Sequence, residues 1–152
     1  MPVRVLLVDD DPAFLEAMAD VLHADPAIDV LGATPDACEA LRLLEERRPD
    51  VVVLDVRMPG GGPQLAVSLL EADPEVRLLA MSAHDDERTV MSMLRAGASA
   101  FIAKGSLDED LALCVQRCAD GMFFVMARCA DHIRLRLAES PVEERFADRR
   151  LG

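Results

Sequence analysis

Along the chain, short apolar runs alternate with longer stretches in which apolar residues recur every three or four positions, and turn-forming residues separate the two patterns. Val3 to Val8 is apolar apart from Arg4, as expected of a strand covered on both faces. Asp11-Pro12 supplies a helix cap and a first helical proline, and Phe14, Leu15, Met18, Val21 and Leu22 carry a helical period to about His23. Ile28 to Ala33 predicts a second strand, and Pro35 to Arg48 a second helix with Ala37, Ala40, Leu41 and Leu44 on its apolar stripe. Val51-Val52-Val53-Leu54 is a third strand ending in Asp55, and Pro63, after three glycines, opens a helix to about Ala72. Val76 to Met81 runs into Ser82. His84 to Ala96 then reads as a helix stopped by Gly97. Ala100 to Ala103 ends at Lys104, and Ser106 stands where a cap would start a fifth helix to about Ala119.

Five strand-helix units in about 120 residues predict an α/β fold. Strands joined by helices run parallel, and right-handed crossovers give an open, doubly wound (βα)5 sandwich, for which a flavodoxin-like sheet order of 2-1-3-4-5 is the expectation. This unit occupies residues 1–121. Residues 122–152 form an extension in which Phe123, Phe124, Met126 and Cys129 give way to Ile133, Leu135 and Leu137, a pattern that predicts one additional C-terminal helix.

Charge sharpens that division. The 152 residues hold 28 acids and 16 bases, a net charge of −12. Residues 1–121 carry 23 acids and 10 bases, whereas residues 122–152 carry 5 acids and 6 bases, so the acidity belongs to the first unit alone. Such a balance argues against a domain that grips nucleic acid or anionic lipid by general electrostatics. The first residues lack the apolar core of a signal peptide, and no window approaches the ~20 apolar residues of a membrane span, so a cytoplasmic protein without membrane contact is expected. Cys38, Cys114, Cys118 and Cys129 contain no C-x-x-C pair; Cys114 and Cys118 share a helix face and read as small apolar residues on a buried stripe.

Ligands of open α/β sheets bind beyond the carboxyl ends of the strands. There the predicted order gathers Asp9 and Asp10 after strand one, Asp55 after strand three, Ser82 after strand four and Lys104 after strand five. Lys104 is the one lysine beside 15 arginines. Three carboxylates at close quarters repel and raise the pKa of at least one of them unless a cation neutralises them. Few residues with hard oxygen donors suit Mg2+, with Mn2+ as the alternative ion. An aspartate beside such an ion is a competent nucleophile for in-line phosphoryl transfer, and an ammonium with a hydroxyl supplies donors for the charge on the transferred group.

With Asp9-Asp10 after an apolar strand, Asp55 followed by Met58-Pro59-Gly60, Ser82-Ala83, and Ala96-Gly97-Ala98 leading to Phe101 and Lys104, the chain resembles the receiver domain of two-component response regulators over about residues 3–121. The resemblance implies that Asp55 accepts a phosphoryl group from a sensor histidine kinase, with Ser82 and Lys104 contacting its oxygens. It implies that Mg2+ is bound by Asp10, by Asp9 through water, by Asp55 and by the backbone carbonyl of Arg57, and that Phe101 is an aromatic switch turning inward as Ser82 moves. Output would follow from a shift of the face formed by helix four, strand five and helix five, with Met91, Met93, Arg95, Asp110, Leu113 and Arg117, and homodimerisation on phosphorylation through that face or through helices one and five. Arg57 and His84, two residues beyond Asp55 and Ser82, either overhang the pocket and tune the phosphoryl lifetime or are an exposed Arg and a helix-capping His.

The sequence departs from the receiver pattern in its Gly61-Gly62-Pro63-Gln64 loop, whose extra glycine predicts mobility, and in Phe101 at the switch position, which has no hydroxyl. Gly121 with the aromatic residues after it resembles the region before the linker of LuxR-type (NarL-like) regulators, and Ser140-Pro141-Val142-Glu143 the start of their helix-turn-helix domain. Two outcomes follow: a stand-alone receiver acting by protein-protein interaction, or a transcriptional regulator whose DNA contact lies in an effector domain absent from this chain. The rival enzyme reading is a haloacid-dehalogenase-like phosphatase using the Asp-x-Asp within Asp9-Asp10-Asp11; it leaves Asp55 without a role, and the receiver reading expects no turnover enzyme beyond self-catalysed phosphorylation and dephosphorylation.

Overall fold

The computed structural model of the chain describes residues 1–106 and 110–139. Its element order is β1 (Val3–Val8), α1 (Pro12–His23), β2 (Ile28–Thr34), α2 (Ala37–Arg47), β3 (Val51–Asp55), α3 (Gly62–Ala72), β4 (Arg77–Ser82), α4 (Glu87–Arg95), β5 (Ala100–Ala103), a single 3-10 turn (Lys104–Ser106), α5 (Leu111–Ala119), β6 (Phe124–Met126) and α6 (Ala130–Glu139). All six strands are parallel, in the order β2-β1-β3-β4-β5-β6.

Unbroken apolar strands serve two cores because successive side chains point to opposite faces. Leu6, Val8, Val52, Leu54, Leu78, Ala80 and Phe101 pack under α2, α3, α4 and α6, while Val5, Leu7, Val51, Val53, Leu79, Met81 and Ile102 pack under α1 and α5. The doubly wound flavodoxin-like order expected for the first five strands is therefore present.

Aspartate caps set most helix starts. Asp11 Oδ1 accepts the N–H of Ala13 at 3.1 Å, and Asp36 Oδ1 that of Cys38 at 2.7 Å. Two predicted starts shift for the same reason. Asp86 accepts the Thr89 N–H at 3.1 Å, so α4 begins at Glu87; His84 lies in the loop before it and caps nothing. Asp110 accepts the Ala112 N–H at 3.0 Å and caps α5, while Ser106 closes the 3-10 turn.

The larger difference lies after Gly121. That segment is not one helix: Phe124–Met126 adds a sixth strand, with Phe101 paired to Val125, before α6 begins. Three residues are too few to show a period, so the strand was illegible as a pattern. α6 then lies over α4, with Ile133 1% exposed in the core beneath it. Met91 and Met93 are both buried, so of the residues expected on the α4-β5-α5 face only Arg95, Asp110, Leu113 and Arg117 reach the surface. Cys114 and Cys118 are buried on α5, as expected for an apolar stripe. Ser140-Pro141-Val142-Glu143 falls outside the described residues.

In the loop before α3, glycine answers a geometric demand. Gly60 and Gly62 have φ of 71° and 67°, and a Cβ at Gly61 would collide with Met58 Cγ, so the extra glycine serves a tight turn.

Candidate functional site: an acidic pocket at the strand ends

Each predicted pocket residue stands at or just beyond the carboxyl end of a strand. Asp9 follows β1 and is 1% exposed; Asp55 ends β3 and is 5% exposed; Asp10 stands exposed at the mouth. Asp9, Asp10 and Asp55 each place a carboxylate oxygen within 4.8 Å of the others. Lys104, directly after β5, reaches back so that its Nζ lies 2.8 Å from Asp9 Oδ2 and 3.7 Å from Asp55 Oδ1. The ammonium also sits over the Phe14 ring, 4.1 Å from its centroid, a cation-π contact.

Backbone donors hold the acids in place. Asp9 Oδ1 accepts the Asp11 N–H at 2.9 Å, so the cap residue of α1 also orients the buried aspartate. Asp55 Oδ1 accepts the Arg57 N–H at a long 3.4 Å. Burial first, and the neighbouring Asp9 charge second, push the Asp55 carboxyl up to about 6, against the pull of Lys104. One ammonium thus does not neutralise the cluster. Two carboxylates buried beside a third, all hard oxygen donors and short of positive charge, fit a divalent cation of the Mg2+ type.

Ser82 is fully buried at the end of β4, and its Oγ accepts the His84 N–H at 3.0 Å. Phe101 is fully buried beneath α4, already inward. The Arg57 guanidinium donates to Thr89 Oγ1 at 3.2 Å, and Thr89 in turn donates to Asp86 Oδ1 at 2.7 Å, so the loop after β3 is tied to the start of α4. His84 is exposed.

Several participants carried no signal of their own. Phe14 read as one member of an apolar stripe, and its place over Lys104 depends on α1 and β5 meeting at the pocket. Thr89 is seven residues past Ser82 with nothing in its neighbours to mark it. Asp85 and Arg128 are 43 residues apart, and only the fold pairs them.

With a six-stranded parallel sheet and an acidic pocket at its carboxyl rim, the molecule is a doubly wound α/β protein in architecture. Residues 5–116 match the response regulator receiver domain, and the chain belongs to that family. It is 34% identical over 136 residues to the DNA-binding transcriptional activator DevR/DosR of Mycobacterium tuberculosis, covering 89% of this chain and 63% of that protein. The probable transcriptional regulatory protein NarL of the same species is 37% identical over 78% of this chain and 56% of its own length. A LuxR-family two-component response regulator from Aurantimonas sp. superposes with a TM-score of 0.83 at 28% identity, over 91% of this chain and 99% of that one. The chain therefore spans somewhat more than half the length of these two curated relatives. Among the described residues, no helix is long and apolar enough to cross a membrane.

Proposed function

We propose that this chain is the phosphorylatable receiver of a two-component system, with Asp55 as the residue that takes a phosphoryl group from a sensor histidine kinase. The observation that carries the reading is the convergence of Asp55, Asp9, Asp10 and the sole lysine at one rim, with Lys104 Nζ 2.8 Å from Asp9 and 3.7 Å from Asp55. A carboxylate oxygen of Asp55 attacks phosphorus, the P–O bond forms as the P–N bond to the donor imidazole breaks, and the leaving imidazole takes a proton. Lys104, released from its pairing with Asp9, meets the oxygens of the transferred group, and the Ser82 hydroxyl contacts them from β4.

Asp10, Asp9, Asp55 and the Arg57 carbonyl are the groups that would hold Mg2+ or Mn2+. Such an ion supplies the positive charge that the three carboxylates and the phosphoryl oxygens lack. Arg57, two residues beyond Asp55 and with its guanidinium on Thr89, would tune the lifetime of the phosphoryl group. Phe101, packed beneath α4, is the element through which movement of the Ser82 loop reaches the α4-β5-α5 face.

Residues 1–121 are the phosphoacceptor unit, and residues 122–152 are its extension towards an output. The relatives' length supports a regulator whose DNA contact lies in an effector domain beyond this chain, as in a protein named a DNA-binding transcriptional activator. Phosphorylation-dependent pairing falls to the α1-α5 side, where Val21 and Leu113 are exposed, because α6 covers α4. The role is that of a cytoplasmic signalling protein rather than a turnover enzyme. Intact-mass measurement after incubation with acetyl phosphate and Mg2+ tests the central claim: one phosphoryl group is expected on the wild-type chain, and labelling at any residue other than Asp55 would overturn it.

A further inference from the structure

Resting on the assignment of Asp55 as phosphoacceptor, we propose that Arg128 is a positioning residue for the phosphoryl site, acting through Asp85 on the loop that carries Ser82, so that phosphorylation and docking of the β6-α6 segment oppose one another. The link can be followed bond by bond. Ser82 Oγ accepts the N–H of His84, and the next residue, Asp85, gives its acceptors to the segment beyond β6. Asp85 Oδ2 takes Arg128 Nε at 2.9 Å and the Arg128 backbone N–H at 3.2 Å, Oδ1 takes the guanidinium at 2.8 Å, and the Asp85 carbonyl takes the Cys129 thiol at 3.0 Å. The Arg128 contact holds the Asp85 carboxyl down at about 2.

Two residues on, Glu87 pairs with Arg136 at 2.5 Å and His132 at 3.1 Å, and Ile133 seals α6 against the core. Asp85 and Glu87, on either side of the Asp86 cap of α4, are thus clasped by Arg128 and Arg136 of the C-terminal segment. A bidentate, three-donor contact fixes Asp85 more tightly than a lone exposed ion pair. When the Ser82 hydroxyl moves to meet a phosphoryl oxygen, the His84 N–H either follows it or loses its acceptor. If it follows, Asp85 is drawn from the position the clasp defines; if the clasp holds it, the N–H is left without its acceptor, so in either case the clasp opposes the movement. Coupling of this kind is reciprocal: what the phosphoryl group does to the clasp, the clasp does to the phosphoryl group.

The test measures affinity for beryllofluoride with Mg2+ on the whole chain, for the wild type, Arg128→Ala, Asp85→Asn and the double variant. Each single variant is expected to bind about two- to fivefold more tightly, the range an exposed pair supports. The double variant is expected to match either single one, since both remove the same link. Hydrogen exchange in residues 130–139 is expected to quicken when the wild type takes beryllofluoride. Wild-type binding with unchanged or weakened affinity in both single variants overturns the role of Arg128 while leaving the phosphoacceptor assignment intact. Failure of the wild type to bind beryllofluoride overturns both.

Discussion

Lys104 and Asp9, 95 residues apart in sequence, meet at 2.8 Å between Nζ and Oδ2, and this ion pair closes the floor of the acidic pocket. It joins the end of β5 to the end of β1 across two intervening strands. In the resting molecule the lysine is therefore held by Asp9, with Asp55 the more distant partner at 3.7 Å. A cation arriving on Asp9 would weaken the first contact and leave the ammonium free for an anion on Asp55.

Asp55→Asn is expected to fold and to take no label from acetyl phosphate. The amide keeps the shape of the side chain and removes the nucleophilic carboxylate. It also removes the buried charge and its repulsion with Asp9, the two effects that raise the Asp55 pKa, so a melting temperature equal to or above the wild-type value is expected without Mg2+. Calorimetry checks the second outcome and intact mass the first.

Lys104→Arg separates charge from shape. A compact ammonium fits between Asp9, Asp55 and the Phe14 ring, whereas a planar guanidinium fork cannot make the same contacts. Labelling of Asp55 is expected to persist, with the conformational response to phosphorylation lost and the fold intact. Tryptic accessibility of the α4-β5-α5 face with and without beryllofluoride reads the response; wild-type switching would remove Lys104 from the mechanism.

Stability should depend on pH in an unusual sense for a carboxylate. The Asp55 pKa is raised from 3.8 to about 6, so the folded chain holds a proton that the unfolded chain has released. Its stabilising contribution is complete below the unfolded value and is lost as pH rises through about 6. The loss is on the order of 1–2 kcal/mol, below the full shift because the pocket mouth at Asp10 is exposed to solvent. Mg2+ is expected to restore it at about pH 7, where Asp55 is ionised, and to add little at about pH 5. Melting curves at the two pH values, with and without the ion, decide this.

Ile133→Ala should undock α6 without unfolding the sheet. Ile133 is 1% exposed in the α4-side core, and truncating such a residue costs about 2–4 kcal/mol. That exceeds what exposed ion pairs such as Arg136–Glu87 return, so the helix opens locally. Limited trypsinolysis at Arg134 and Arg136 is expected to accelerate while the core fragment resists.

Much of the site was legible because its residues lie at strand ends, and strand ends are marked by where apolar runs stop: Val8 before Asp9, Leu54 before Asp55, Ala103 before Lys104. The apolar period likewise marked α1 and its Asp11 cap. Illegible were the features that depend on neighbours far along the chain. Met91 and Met93 share a helical pattern with surface residues and are set apart only by packing in the α4-side core, and Val125 has no strand signature until Phe101 lies beside it.

By itself, then, the sequence determined the alternation of strands and helices, the parallel direction of strands joined by helices, and the acids and lysine at the strand ends, all set by local periodicity and connection geometry. Tertiary structure decided the pairing of Lys104 with Asp9, the raised pKa of Asp55, the sixth strand and the clasp of Arg128 on Asp85. Distances between residues tens of positions apart depend on packing, and burial and charge act through those distances.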